Sequence, residues 1–479
     1  MSRYYVKPLS SLQHDAEHAP LKRALGPLNL TTLGIGSIIG TGIFVLTGTA
    51  ASQHAGPALV LSMMIAAAGC VFAGLCYSEL AAMIPVAGSA YTYAYATTGE
   101  LFAWIIGWDL MLEYALSCST VAVGWAGYAT SLLRDFGVPI SPQFAAAPGV
   151  LVTLADGSIG HGIANVPAML IVLLVMSLLT FGIKQSANTN TVLVVVKVMV
   201  LILFVVAGAS YVRRENLTPF IPPNTGEFGH FGISGVLRGA GVMFFAYIGF
   251  DAVSTAAQES RNPQRDLPIG IMSSLAICTV IFIVVAVVLI GIVPYQTLNV
   301  ADPLAVGIDA TGLTWLKPVV KIGAVLGLFS TILVQMIGQT RIFYSMSRDG
   351  LLPEIFGRVH PRFRTPHVST IVTGVVCALV AGLTPINVLS ELVSMGTLLA
   401  FVLVCVGIVV LRRTNPDTPR PFRTPGLPWV AVAGAAICLL QMVALPLPTW
   451  ERLIIWLVIG MVIYFGWAKA SAARRRAAD

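Results

Sequence analysis

The sequence predicts an all-α membrane protein of twelve transmembrane helices, built as a five-plus-five inverted repeat with discontinuous helices one and six. Three observations predict it. Apolar residues make up 56% of the chain, charged residues only 10%, and mean hydropathy is +0.85, whereas a soluble globular chain carries about 25% charged residues. Two apolar segments are interrupted by weak helix formers at corresponding places: Gly34-Ile35-Gly36-Ser37-Ile38-Ile39-Gly40-Thr41-Gly42-Ile43-Phe44 in the first, and Phe244-Phe245-Ala246-Tyr247-Ile248-Gly249-Phe250-Asp251 in the sixth. The basic residues are shared unequally between alternate links.

A span takes about 20 largely apolar residues. Twelve such stretches follow one another: 28–51, 57–83, 100–133, 164–183, 190–212, 234–258, 268–293, 317–346, 367–384, 386–411, 427–446 and 449–468. Both termini then share a side. With the N-terminus inside, nineteen of the 28 Lys and Arg residues lie inside, Arg3, Lys22, Arg23, Lys184 and Arg364 among them. Five (Arg134, Arg213, Arg214, Lys317, Arg452) lie outside, and Lys197, Arg238, Lys321 and Arg341 fall within spans. This excess of inside charge predicts cytoplasmic termini on a multi-pass protein.

The chain divides into an N-terminal cytoplasmic segment (1–27), a first five-helix repeat (28–212), a second (213–412), helices eleven and twelve (427–468) and a basic cytoplasmic tail (469–479). An odd number of spans per repeat inverts the second relative to the first, so the two interruptions approach mid-membrane from opposite sides. Helices eleven and twelve lie outside the repeat and are expected to serve packing or oligomer contacts. The tail, with Arg474, Arg475 and Arg476, reads as a disordered, lipid-facing charge run.

Each glycine weakens a helix interior by about 1 kcal/mol relative to alanine, and the first segment holds Gly34, Gly36, Gly40 and Gly42 within nine residues. Unwound backbone at membrane depth is tolerated only under protein or beside a water-filled cavity. Paired interruptions in two halves of a chain mark the substrate site of a carrier. Gly36 and Gly40 also form a GxxxG helix-packing pattern; the second interrupted segment tips the reading toward a binding site.

A broken helix presents free amides where its second half begins and free carbonyls where its first half ends. The amides around Thr41 and Gly42 suit a carboxylate, and the carbonyls of Phe245, Ala246 and Ile248 suit an ammonium. A molecule with both groups a few ångströms apart is a zwitterionic amino acid.

Other classes find little support. No HExxH or CxxC occurs, and the seven cysteines sit in apolar stretches as small hydrophobes, so no metal, cofactor or disulfide is expected. No nucleophile–base pair lies in the spans, which disfavours an enzyme. The basic excess follows membrane side rather than forming a nucleic-acid surface. The polar start lacks a removable signal layout. An ion channel would need a conduction filter, and two inverted breaks suit occlusion better.

The runs GIGSIIGTGIFV (34–45), YSELAAMIPVAGSAYTYAY (77–95), GWDLMLEY (107–114), FFAYIGFDAVSTAAQESRNPQRDLPIGI (244–271) and GQTRIFYSMSRDGLLP (338–353) resemble those of amino-acid permeases of the amino acid–polyamine–organocation superfamily. Within it, the chain is similar to the bacterial cationic amino acid transporter-like branch. The resemblance implies alternating access in a bacterial inner membrane and a backbone site made by Gly36, Ser37, Ile38, Gly40, Thr41, Gly42, Phe245, Ala246 and Ile248. Phe245 would close over the substrate. Gln335 would stand where the family sets whether a long cationic side chain fits.

The resemblance also gives Lys197 a role. A lysine well inside an apolar run costs about 2.5–3.5 kcal/mol to insert. In related permeases it fills the place of a sodium ion, contacting the first break and span eight. Lys197 would then carry a charge that comes and goes with a proton, with Ser330 and Thr331 as hydroxyl partners. Snorkelling toward the inside end is the alternative. Glu113, mid-span, is either a second proton site or a static hydrogen-bonding group, with Asp109 one turn earlier on the same face. Asp251 is expected to cap the helix after the second break. Glu79 and Glu259, near Arg261, Arg265 and Arg341, are candidates for an inner gate of ion pairs.

The expectation is a proton-coupled symporter importing L-amino acids, small or medium neutral ones first. Cationic uptake and exchange stay open, as does a small membrane-protein partner or a homo-oligomer. Membrane lipid is the surrounding partner.

Overall fold

The computed structural model describes residues 5–8, 24–84, 86, 89–154, 156–182, 187–363 and 365–478. Arg3, Lys22, Arg23, Lys184 and Arg364, counted above as inside charges, lie outside the described residues, as do Pro85, Ala87 and Gly88 of the second motif. The apolar stretches fold as helices, which satisfy every interior N–H and C=O within one segment and so can lie in hydrocarbon.

Among the described residues, eight helical runs have the length and apolar composition of a membrane crossing, from Gly42–Met83 to Leu447–Ala477. Three shorter apolar helices, Val166–Thr180, His367–Leu383 and Trp429–Ala444, accompany them.

Helix α1 (Pro27–Ile38) starts with proline at its first position, where no amide bond is lost. It stops at Ile39, whose backbone is extended (ψ 97°). Helical structure resumes through Gly42–Leu46, Thr47–Ala50 and Ala51–Ala55, partly in the wider π form. Gly56 (φ +56°) turns the chain directly into α2 (Leu59–Met83), so the first and second predicted spans meet at a kink rather than a loop. A short helix, α3 (Ser89–Thr97), precedes the long α4 (Glu100–Asp135). A small hairpin of β1 (Leu151–Thr153) and β2 (Ile159–His161) lies in the next link, with Leu151 opposite His161.

Helices α5 (Val166–Thr180) and α6 (Ala187–Gly208) follow. Then α7 (Gly232–Met243) tightens into a 3₁₀ turn at Phe244–Tyr247 and stops. Gly249, at φ +115°, takes a conformation that L side chains avoid, and the chain resumes at Ala252–Thr255. The remainder comprises α8 (Pro263–Ile292), α9 (Pro303–Thr311), α10 (Leu316–Arg348), α11 (His367–Leu383), α12 (Ile386–Thr414), α13 (Trp429–Ala444) and α14 (Leu447–Ile463).

Helix α14 packs on α4 through indoles. Trp108 stacks on Trp456 with centroids 4.4 Å apart, and each ring N–H donates to the other residue's carbonyl, at 2.8 and 3.1 Å. Trp104 donates to Gly460 O at 2.8 Å. Its other face exposes Ile454, Ile455, Val458 and Val462, as a helix bordered by lipid would.

The chain's end departs from expectation. Residues Lys469–Ala478 form a helix, α15, with Ala472 fully buried, rather than a disordered run. Arg475 and Arg476 are held by Glu354, Glu100, Tyr95 and Tyr5, contributed from elsewhere in the chain, contacts no local pattern announces. Residues 5–8 and this last helix lie on one face of the molecule, with the Arg476 guanidinium 4.5 Å over the Tyr5 ring.

Candidate functional site

The two interruptions meet. Gly42 packs so closely on Ala246 that a β-carbon there would collide with its backbone, and a β-carbon on Gly249 would lie 2.6 Å from Ser37 Oγ. Ser37, Ile38, Gly40, Thr41, Gly42, Phe245, Ala246 and Ile248 are all buried around this junction, as is Gly36. The hydroxyls of Ser37 and Thr41 have no hydrogen-bond partner among the described residues. Two unpaired donors beside the start of a helical segment provide an anion-seeking corner. Of the three carbonyls expected to face an ammonium, that of Phe245 already accepts Ile248 N at 3.3 Å, closing the 3₁₀ turn.

Lys197, on α6, is fully buried. Its ammonium donates to Gly36 O at 2.5 Å and Ile39 O at 2.9 Å, the carbonyls freed where α1 ends, and reaches Thr331 Oγ1 at 3.5 Å. Thr331 itself donates toward Ile39 O at 3.2 Å and Gly327 O at 3.1 Å. Gly327 lets α10 approach: a β-carbon there would stand 3.1 Å from Lys197 Cβ. One ammonium thus joins three elements at the first break, and the side chain does not snorkel. Ser330, the other expected hydroxyl partner, donates back to Gly327 O at 2.8 Å, and among the described residues Lys197 bonds the Thr331 hydroxyl rather than this one. Gln335 is buried one turn beyond Thr331.

The acidic residues form a second centre. Asp251 does not cap the following helix; its Oδ2 accepts from Tyr114 at 3.0 Å and from Ser89 at 3.4 Å. Ser89 shares a 2.6 Å hydrogen bond with Tyr77. Glu113 has Asp251 and Asp109 as electrostatic neighbours. Glu113 Oε2 and both Asp109 oxygens are buried without a hydrogen-bond partner among the described residues. Tyr77, Ser89 and Tyr114 escaped the sequence reading, though hydroxyls recurring within apolar runs were the available signal.

The expected gate splits in two. Glu259 pairs with Arg341 at 3.3 Å, and Arg341 also donates to Thr255 O at 3.3 Å. Glu79 lies elsewhere. It is fully buried, accepting hydrogen bonds from Arg412 at 2.6 Å and Thr424 N at 2.6 Å and forming an ion pair with Arg420 at 3.3 Å, all in or beyond α12. Arg261 makes no ion pair among the described residues; its Nε donates to Ala24 O at 3.0 Å, tying the chain before α1 to the chain after the second break.

Toward the other end of α4, Tyr128 donates to Phe44 O at 2.7 Å and accepts from Leu304 N at 3.4 Å, joining α4, the segment after the first break, and α9. Lys321 pairs with Asp135 at 2.6 Å. Asp302, in the link before α9, is half-buried; partial desolvation pushes its carboxyl above the usual aspartate value, against the pull of Ser131, Lys321 and Arg134.

Comparison with known proteins gives the family. The amino acid permease family profile matches residues 25–464. The chain is 42% identical over 97% of both chains to a methylthioribose transporter of Bacillus subtilis. It is 45% identical to the branched-chain amino acid permease BcaP of the same organism, over 93% of each. It is also 39% identical to a vacuolar cationic amino acid transporter 4 of Arabidopsis thaliana, over 87% of this chain and 67% of that one.

Proposed function

Because this chain belongs to the amino acid permease family, we propose that it is a proton-coupled symporter importing small or medium neutral L-amino acids across a bacterial inner membrane. The relatives are permeases and transporters, not enzymes. One observation carries the coupling: the Lys197 ammonium bridges Gly36 O and Ile39 O, two carbonyls of the first break. A charge there holds the broken end of α1 against α6 and α10; its loss frees both carbonyls.

In this reading the substrate carboxylate meets the amides around Thr41 and the hydroxyls of Ser37 and Thr41, while its ammonium meets the Ala246 and Ile248 carbonyls. A proton arriving from outside charges Lys197, Phe245 covers the substrate, and the molecule rocks inward. The twelve spans, the inverted repeat and cytoplasmic termini belong to the same proposal. A neutral substrate fits the uncharged Gln335 and the name of one relative, the branched-chain permease.

Cationic substrates are a second reading, favoured by both Asp109 oxygens and Glu113 Oε2, which are buried without a hydrogen-bond partner among the described residues. The test is uptake into sodium-free proteoliposomes under an acidic exterior. Labelled L-leucine or L-alanine should enter, Lys197→Ala should remove the gradient dependence, and unlabelled methylthioribose should not compete. Entry of L-arginine alone would replace the neutral reading with the cationic one. Uptake only into vesicles preloaded with amino acid would overturn symport in favour of exchange.

A further inference from the structure

Helix α3 lies against the second break, and all nine of its residues are buried. It is held at three levels. At its start, Ser89 bonds Asp251, which follows that break. In its middle, Tyr91 donates to Asp349 Oδ2 at 2.7 Å, while Asp349 Oδ1 takes the Lys7 ammonium at 3.0 Å. At its end, the Tyr95 carbonyl accepts Lys7 N at 3.1 Å and its hydroxyl donates to Glu100 Oε2 at 3.1 Å.

The outermost level is closed by the last helix. The Arg476 guanidinium pairs with Glu100 Oε2, donates to Tyr95 at 3.3 Å, and lies 4.5 Å over the Tyr5 ring. Glu100 is almost fully buried at the start of α4, and Tyr464 holds its other oxygen at 3.0 Å. The neighbouring Arg475 packs on Gly350 and pairs with Glu354 at 3.0 Å. Glu100 N donates to Tyr5 O at 2.8 Å. A buried carboxylate gripped by an arginine from the far end of the chain is costly to leave half-paired, so the contact favours one arrangement strongly.

We propose that α15, through Arg476 on Glu100, is a lock that keeps α3 across the face carrying residues 5–8 and α15 itself and must release before the substrate site opens to that face. This rests on the alternating-access reading above. The lock differs from the Arg341–Glu259 pair in tying the last helix to the start of α4 and to Tyr5 rather than joining the helices around the breaks.

The test places a cysteine at Thr92, a buried α3 position, in the full chain and follows its modification by a membrane-impermeant maleimide in vesicles of both orientations. The seven native cysteines are all buried, so the chain without the added cysteine gives the background. Arg476→Ala should speed modification by about tenfold, the scale of an ordinary conformational coupling. So should a chain ended after Lys469. Arg474→Ala, which removes an exposed neighbour whose Nε bonds only within its own helix, should leave the rate unchanged.

Equal rates in the wild type, Arg476→Ala and the shortened chain would overturn the lock. So would an Arg476→Ala rise matched at the native cysteines, since that is general loosening rather than release of α3. Modification from the outer face alone would contradict cytoplasmic termini, and failed amino-acid uptake would contradict the proposed function. Neither of those results alters the reading of the lock from the rate ratio.

Discussion

Gly42 and Lys197 show how single residues shape the candidate site. Gly42 has no room for a β-carbon beside Ala246, so Gly42→Ala must push the two breaks apart. Overpacking of this kind costs about 1–3 kcal/mol, and we expect a lower thermal midpoint in detergent together with loss of substrate-induced stabilisation. An unchanged midpoint would mean that the junction is looser than its geometry. Lys197 differs, because its partners are carbonyls and a hydroxyl rather than carboxylates. Lys197→Arg should not substitute for it: a planar guanidinium cannot meet the same two carbonyls as a compact ammonium does. Recovery of wild-type gradient-driven uptake by the arginine variant would show that charge alone suffices there.

At the scale of elements, the interruptions of α1 and α7 were legible because glycine content and apolar length are local properties. The partners of Glu79 were not. Arg412 and Arg420 are more than 300 residues away in sequence, and the nearer arginines drew the expectation toward themselves. The same limit hid the order of α15 and the true role of Asp251, whose side chain serves Tyr114 and Ser89 rather than its own helix. Glu79→Gln should leave the nearly buried Arg420 without a counter-charge, destabilising the protein by about 3–5 kcal/mol. Chemical denaturation in micelles would measure it, and a loss under about 1 kcal/mol would show that other acceptors take over.

The α4–α14 contact is a further elemental test. A double-mutant cycle on Trp108 and Trp456 should return a coupling of about 0.5–1.5 kcal/mol; additive effects would place the stability of that contact elsewhere. Asp302 supplies a pH signature outside the spans. Its raised carboxyl value in the folded protein means that its contribution is greatest below the ordinary aspartate range and is lost as pH rises through the raised value. Asp302→Asn should flatten that fall in thermal midpoint, and an unaltered pH profile would assign the fall to another group.

For the whole molecule, the two breaks meet and are buried together with the Lys197 bridge, which under the proposed function form the substrate junction of a carrier in a closed state. The sequence composition made the membrane setting plain, and the family follows from the match across residues 25–464. Substrate preference is harder to read, because the junction is largely backbone and Gln335 is neutral. The central claim is that amino acid and proton move together through a charge change at Lys197. The most direct measurement is proton entry into proteoliposomes holding a trapped pH dye, with no imposed gradient, on adding L-leucine outside. The account predicts internal acidification with the wild type and none with Lys197→Ala, even where that variant still binds or exchanges leucine. Leucine entry without acidification in the wild type, or equal acidification in the variant, would contradict it.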